Sequence, residues 1–243
     1  MQIYGHRGVL ARLPGNTIEG VEMAFAEGAD GVEIDVRRSA DGQLVCCHDP
    51  KLRPDAGRRV RLLAQTAEAL EAVTFDGGYR LAKPEDVLTA AAGRGRVTVE
   101  IKNSPLERDH DWSASASATA LVELLQERTA AGQDDCVAVS SFDLRVLDTV
   151  RAALPELPTG YLTRPRTRFD VSLRRVRRRG HDECHLHVSS VLADLDGVAR
   201  AAAAGLAVVC WTVNKVDQAR RLAAAGVAAV ITDDPQLLRR GLA

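Results

Sequence analysis

Aromatic side chains are scarce in this sequence, at 4% of 243 residues. That argues against a wide aromatic rim for gripping long acyl chains. No uninterrupted apolar run approaches the length needed to cross a membrane, so no spanning helix is expected. Neither sign of charge is in excess. The net charge of −1 gives no global attraction to nucleic acid or to an anionic membrane surface. The five cysteines are an odd number without zinc-type spacing. Four of the five (Cys46, Cys47, Cys136, Cys184, Cys210) lie in apolar runs, so buried thiols are expected rather than disulfides or ligands. A glycine-rich phosphate loop and a Walker motif are both missing, which sets nucleoside triphosphates aside. The opening residues Met1 to His6 lack a charged segment followed by an apolar stretch. No signal peptide and a cytoplasmic location are therefore expected.

What the chain does have is alternation. Short Val/Ile-rich runs near 2–5, 30–36, 43–47, 97–101, 136–140, 158–162, 183–188, 206–211 and 227–231 read as strands. Ala/Leu/Arg-rich stretches near 17–27, 64–73, 84–93, 114–131, 143–153, 170–179, 193–204, 215–225 and 235–240 read as helices. Asp143 is placed to N-cap one helix, Gly205 and Gly226 to end others, and Pro235 to start the last. Asp41-Gly42 is a hairpin signal. If 43–47 is the second arm of that hairpin, eight β-then-α units remain. Such units imply a parallel sheet, and eight of them close into an α/β TIM (β/α)8 barrel. Residues 49–96 exceed what one crossover needs. They are read as a small insertion over the C-terminal mouth, a polar loop from Pro50 to Arg59 followed by two short helices, inside one domain spanning 1–243.

The strands deliver charge at their ends. Glu33 and Asp35 flank Ile34, and Glu100 and Lys102 flank Ile101, so each pair points to one side of its strand. His6-Arg7 and His48-Asp49 close two further runs. One such pair would ordinarily rest in separate salt bridges. Two pairs and two histidines at one mouth call for a common purpose. Three converging carboxylates repel in a partly dry site, and a divalent cation is their natural counter-charge. All-oxygen ligands favour one Mg2+ or Ca2+, with manganese also suited, over zinc. Histidine moves protons near neutral pH, so His6 and His48 are the candidate acid and base. With the cation bound, the three carboxylates, Arg7 and Lys102 leave one positive charge, which suits a phosphodiester. Arg7 and Lys102 are then its phosphate contacts. His110 and His181 receive no role. His185 and His187 are read as part of a substrate wall. The Arg174–Arg179 run is read as the solvated face of an outer helix, not as a nucleic-acid site.

These residues resemble one family. His6-Arg7-Gly8, Asn16-Thr17, Gly28 through Asp35, Asp41-Gly42, His48-Asp49-Pro50, Val99 through Lys102, Ser141-Phe142-Asp143, Gly205 followed by Trp211 through Asn214, and Gly226 followed by Thr232 through Pro235 are similar, in order and spacing, to the glycerophosphodiester phosphodiesterases. The resemblance spans nearly the whole chain. It implies a TIM barrel and hydrolysis of glycerophosphodiesters to an alcohol and sn-glycerol 3-phosphate, by direct attack of water or through a cyclic phosphate. It implies His6 and His48 as the acid/base pair and Glu33, Asp35 and Glu100 as metal ligands. Arg7 and Lys102 would touch phosphate, Asn16 would brace the site, and Trp211 would pack against the glycerol or alcohol. Two positions depart from the family pattern. Gly15 stands where the family usually has Glu, and Leu81-Ala82-Lys83-Pro84 replaces an Ile-Pro-Thr-Leu-like run.

Two other readings share this barrel. One is a lipid-acting phosphodiesterase of the lysophospholipase D or sphingomyelinase D type, for which an exposed apolar rim would be required. The other is a catalytically silent phosphodiester-binding barrel, whose signature would be a lost histidine or carboxylate. The expected partner is thus a small glycerophosphodiester, with no nucleic acid and no stable membrane association. Nothing in the sequence sets the oligomeric state.

Overall fold

The computed structural model describes residues 1–103, 110–133 and 136–243. Its strands are β1 (Gln2–His6), β2 (Gly31–Arg38), β3 (Leu44–Cys46), β4 (Lys51–Leu52), β5 (Val60–Arg61), β6 (Thr74–Phe75), β7 (Tyr79–Arg80), β8 (Arg96–Ile101), β9 (Val137–Ser141), β10 (Thr159–Leu162), β11 (Glu183–His187), β12 (Ala207–Trp211) and β13 (Ala229–Thr232). The helices are α1 (Ile18–Ala26), α2 (Ala67–Glu71), α3 (Pro84–Ala91), α4 (Ala116–Ala130), α5 (Leu144–Ala153), α6 (Phe169–Arg179), α7 (Val188–Leu192), α8 (Asp196–Ala203), α9 (Val216–Ala224) and α10 (Pro235–Leu242).

The main sheet runs β1-β13-β12-β11-β10-β9-β8-β2, and β1 also pairs with β2. All these pairings are parallel, so eight strands close on themselves as a TIM barrel. β3 hangs antiparallel on β2, with Cys46 opposite Val36, as the Asp41-Gly42 signal implied. Val32, Ile34 and Val36 face outward and pack with Val97, Val99, Leu88 and Leu121 in one large core beneath the helices. Gly8 lets the β1–α1 loop close down. Its φ is +92°, and a Cβ there would stand 2.5 Å from the Gly20 carbonyl carbon.

The barrel interior is partly apolar and partly charged. Tyr4, Val209, Ala229 and Ile231 make a small apolar cluster. Below the mouth, Arg96 on β8 pairs with Glu183 on β11 at 2.7 Å, and Glu183 meets the His185 ring at 2.8 Å. Two strands separate β8 from β11, so this ion pair crosses the interior. Gly160 makes room for it, since a Cβ there would lie 2.3 Å from His185 Nε2. His185 is 1% exposed and belongs to this network. It is therefore not part of a substrate wall, because burial and a carboxylate partner hold it inside the sheet.

Over residues 49–96 both expected short helices form, as α2 and α3, but the stretch before α3 is more than a polar loop. It forms two short antiparallel ladders, β4 with β5 and β6 with β7, a 3-10 turn at Leu62–Ala64, and α2. Leu52, Leu62, Leu70, Phe75 and Leu81 pack with Val45 and Cys47 in a second core beside the mouth. α3 lies outside that group, and its Val87, Leu88 and Ala91 join the main core under the barrel. The run read as continuing β11 to 188 instead turns into α7. Cys46, Cys47, Cys184 and Cys210 are buried and free, while Cys136 is exposed. On α6, Arg174, Arg177 and Arg178 face solvent. Arg175 reaches the Tyr161 hydroxyl at 2.9 Å and Arg179 pairs with Asp148. Among the described residues no helix is long and apolar enough to cross a membrane.

Candidate active site

β2 and β8 lie side by side with Asp35 opposite Glu100. Their inward side chains rise to the same level, where Glu33, Asp35 and Glu100 each offer an oxygen within 4.8 Å of the others. All three are buried, and Asp35 is fully so. Burial, with the nearby charges of Asp35 and Glu100, raises Glu33 well above the usual carboxyl range. Burial also raises Glu100, with Lys102 opposing the rise. For Asp35 the same burial is outweighed by Lys102 and Arg7, which hold it below its ordinary value. Such a cluster fits a hard divalent cation. The donors are all carboxylate oxygens, they converge, and their mutual repulsion is what added positive charge would relieve.

Lys102 and Arg7 sit directly on these carboxylates. Lys102 Nζ is 2.7 Å from Asp35 Oδ1 and 2.6 Å from Glu100 Oε1, while Arg7 Nε is 2.9 Å from Asp35 Oδ2. Burial would lower the Lys102 ammonium, but Glu100 and Asp35 dominate and hold it above its ordinary value. Arg7 takes φ +54° and Asn16 φ +65°, both in the left-handed region. Those two bends turn the loop inward at the site. From there Asn16 grips Asp35 twice. Its Nδ2 donates to Asp35 Oδ2 at 2.9 Å, and its Oδ1 accepts the Asp35 backbone N–H at 2.9 Å. Gly15 leaves space for Arg7, whose Cβ and Cδ would each be 3.0 Å from any Cβ at that position.

The two histidines arrive differently. His6 ends β1, with Nε2 4.0 Å from Glu33 Oε2 and Nδ1 2.6 Å from Asp233 Oδ1. His48 is carried by the segment after β3, where Cys47 N–H donates to the Asp35 carbonyl and the Arg37 Nε–H to the His48 carbonyl. Its Nδ1 lies 2.7 Å from Asp49 Oδ1. Burial and the Lys102 charge lower the His48 imidazole from its ordinary value, so it is neutral at pH 7. Trp211 ends β12 and packs edge to face with Phe142 at 5.7 Å and His187 at 5.1 Å. Its indole N–H donates to the His185 carbonyl. His110 meets Trp112 edge to face, and His181 is buried against Thr159 and Asp148.

Asp233 and Asn214 had no assigned role in the sequence reading. Asn214 Oδ1 accepts the Asp233 backbone N–H at 3.0 Å and its Nδ2 donates to Asp233 Oδ2 at 2.5 Å. The usable signal was charge at the end of β13, the same pattern that marks β1, β2 and β8.

A glycerophosphodiester phosphodiesterase of Bacillus altitudinis is 26% identical over 245 residues, covering 96% of this chain and 95% of its own. A solved glycerophosphodiester phosphodiesterase from Thermotoga maritima superposes with a TM-score of 0.79 at 26% identity, covering 99% of this chain and 97% of that one. An Oleispira antarctica phosphodiesterase, solved in complex with the product sn-glycerol-3-phosphate, superposes with a TM-score of 0.86 at 24% identity, covering 100% and 96%. The model of the glycerophosphoryl diester phosphodiesterase family matches residues 6–237, and the chain belongs to that family.

Proposed function

We propose that the chain hydrolyses glycerophosphodiesters to an alcohol and sn-glycerol 3-phosphate, with Mg2+ or Ca2+ held by Glu33, Asp35 and Glu100. The observation that carries this reading is the gathering of a buried carboxylate triad, two cations seated on it and two carboxylate-oriented imidazoles at one barrel mouth. Family membership and the product bound in the Oleispira antarctica enzyme support the same reaction. The bound cation would supply Lewis-acid polarisation of the phosphoryl group.

The remaining steps belong to the protein. Arg7 and Lys102 turn their unused N–H donors to the non-bridging phosphoryl oxygens, and Asn16 keeps Asp35 fixed between them. Water attacks phosphorus, and one imidazole takes the proton that the water loses. The bond from phosphorus to the leaving alcohol oxygen breaks, and the other imidazole protonates that oxygen. Asp233 and Asp49 hold the two rings through Nδ1, which leaves each Nε2 for proton transfer. Trp211 and Phe142 offer apolar faces to the glycerol carbons.

A panel of glycerophosphodiesters, assayed with and without Mg2+ or Ca2+ by coupled detection of glycerol 3-phosphate, tests this. Metal-dependent release of glycerol 3-phosphate is expected. Release of a phosphorylated head group with free glycerol, or turnover surviving exhaustive metal removal, would overturn it.

A further inference from the structure

Two clefts open at the mouth and both are lined by His48. One, of about 300 Å3, holds Trp211 and Phe142 beside Glu100 and Lys102. The other, of about 490 Å3, lies between the barrel and the segment following β3. Its wall carries Lys51, Arg53 and Arg59.

The β4–β5 ladder explains this concentration of charge. Leu52 pairs with Val60, and both pack into the second core. Side chains alternate along a strand, so Lys51 and Arg53 share the opposite face with Arg61, the partner of Lys51. One rung further, the same register sets Arg53 across from Arg59. Like charges directly across a ladder repel. No carboxylate among the described residues forms an ion pair with Lys51, Arg53 or Arg59. Of the acids nearby, Asp49 is turned to His48, and Asp55 accepts the backbone N–H groups of Gly77 and Gly78. Asp49 and Asp76 are the two acids that line the cleft. Gly15 adds no side chain to it. Three cations with no ion-pair partner among the described residues thus outnumber the two acids, in a cavity large enough for a polyol that adjoins His48.

We infer that the 490 Å3 cleft is the leaving-group subsite and that it selects glycerophosphodiesters whose alcohol bears a second phosphoryl group. The inference rests on the reaction proposed above. The glycerol arm lies in the aromatic cleft, the scissile phosphate sits at the carboxylate triad, and the second phosphate is held by Arg53 and Arg59, with Lys51 alongside. Arginine's planar fork suits that group.

The test compares glycerophosphoinositol with glycerophosphoinositol 4-phosphate, two substrates that differ by one phosphate, using the Mg2+-loaded enzyme with Mg2+ in excess. The phosphorylated substrate should show kcat/KM at least about tenfold higher, mainly through KM, a difference that corresponds to about 1.4 kcal/mol. Added salt should shrink the ratio. In R53Q/R59Q the ratio should fall to about one, and in R59E below it. Equal wild-type values, or a ratio retained in R53Q/R59Q, overturn the inference. Thermal shift reads the same cleft without turnover. myo-Inositol 4-phosphate should stabilise the wild type where inositol does not, and R53Q/R59Q should abolish the effect. A shift without any hydrolysis would keep the anion site and overturn the reaction instead. No shift alongside normal hydrolysis would overturn the site alone.

Discussion

His6 Nδ1 lies 2.6 Å from Asp233 Oδ1, joining the first strand of the barrel to the residue that follows its last. Asp233 is held below its ordinary value because His6 and Asn214 outweigh the effect of burial. It therefore stays ionised at neutral pH and, in the proposed mechanism, holds the proton on Nδ1 and leaves Nε2 for the reaction. His6→Ala should lower kcat by about a hundredfold or more, the scale of general acid–base catalysis. Asp233→Asn should lower it by about tenfold or more, yet less than loss of the ring. Steady-state rates at fixed metal check this, and an Asp233→Asn enzyme with wild-type kcat would discard the dyad.

The division of labour between the imidazoles can be read with leaving groups of different basicity. A 4-nitrophenyl ester of glycerol 3-phosphate expels its phenolate without protonation, so the acid becomes dispensable. Of His6→Ala and His48→Ala, one should recover to within about tenfold of wild type on that ester. It should remain about a hundredfold slow on glycerophosphocholine. The other should stay slow on both. Two variants equally slow on both substrates would contradict a separate acid and base.

Much of this arrangement was legible because its signals are local. Glu33 and Asp35 around Ile34, and Glu100 and Lys102 around Ile101, carry the strand period and the chemistry in one short stretch, and the register of β2 on β8 brings them together. The interior pair Arg96–Glu183 gave no such sign, since a charge at the start of a strand reads as a solvent boundary. Only closure of the barrel makes those two residues meet. Asp233 was hidden beside Asp234, whose capping of Leu237 N–H is the ordinary reason for an acid before a helix. Ladders of two residues, such as Lys51–Leu52 with Val60–Arg61, are too short to show any period. The turn from β11 into α7 was masked by Val188 and Val191, which read as more strand.

The carboxylate triad gives a metal test that needs no substrate. Glu33 is raised in the fold, so its contribution to stability is complete below its ordinary value of 4.5 and is lost as pH rises through the raised value. Without metal, Glu33→Gln should therefore melt above the wild type, by a margin that grows as pH rises above 4.5. Mg2+ at about 100 times its Kd should stabilise the wild type by about 2.7 kcal/mol. Calorimetry should show that shift vanish in Glu33→Gln; an unchanged shift would place the ion elsewhere.

The interior network should act on stability and leave the chemistry alone. Glu183 is held at about 2 because His185 and Arg96 outweigh burial. Its contribution is present above 4.5 and is lost as pH falls toward 2. Glu183→Gln should cost about 3 kcal/mol at pH 7 by stranding Arg96. Urea midpoints compared with wild type should converge as the solution is acidified over that interval, and a pH-independent gap would falsify the pairing.

The meeting of β1 with β13 has a consequence for the chain as it is made. Every oxygen of the acidic triad has been synthesised by Glu100, whereas the carboxylate that orients His6 belongs to the final turn of the fold. A partly emerged or C-terminally clipped polypeptide can hold the triad's sequence and still lack the means to aim its first histidine. In the proposed mechanism competence is thereby deferred until the ring is sealed, and the segment carrying Asp233 works as a completion check on an apparatus laid down in the first hundred residues.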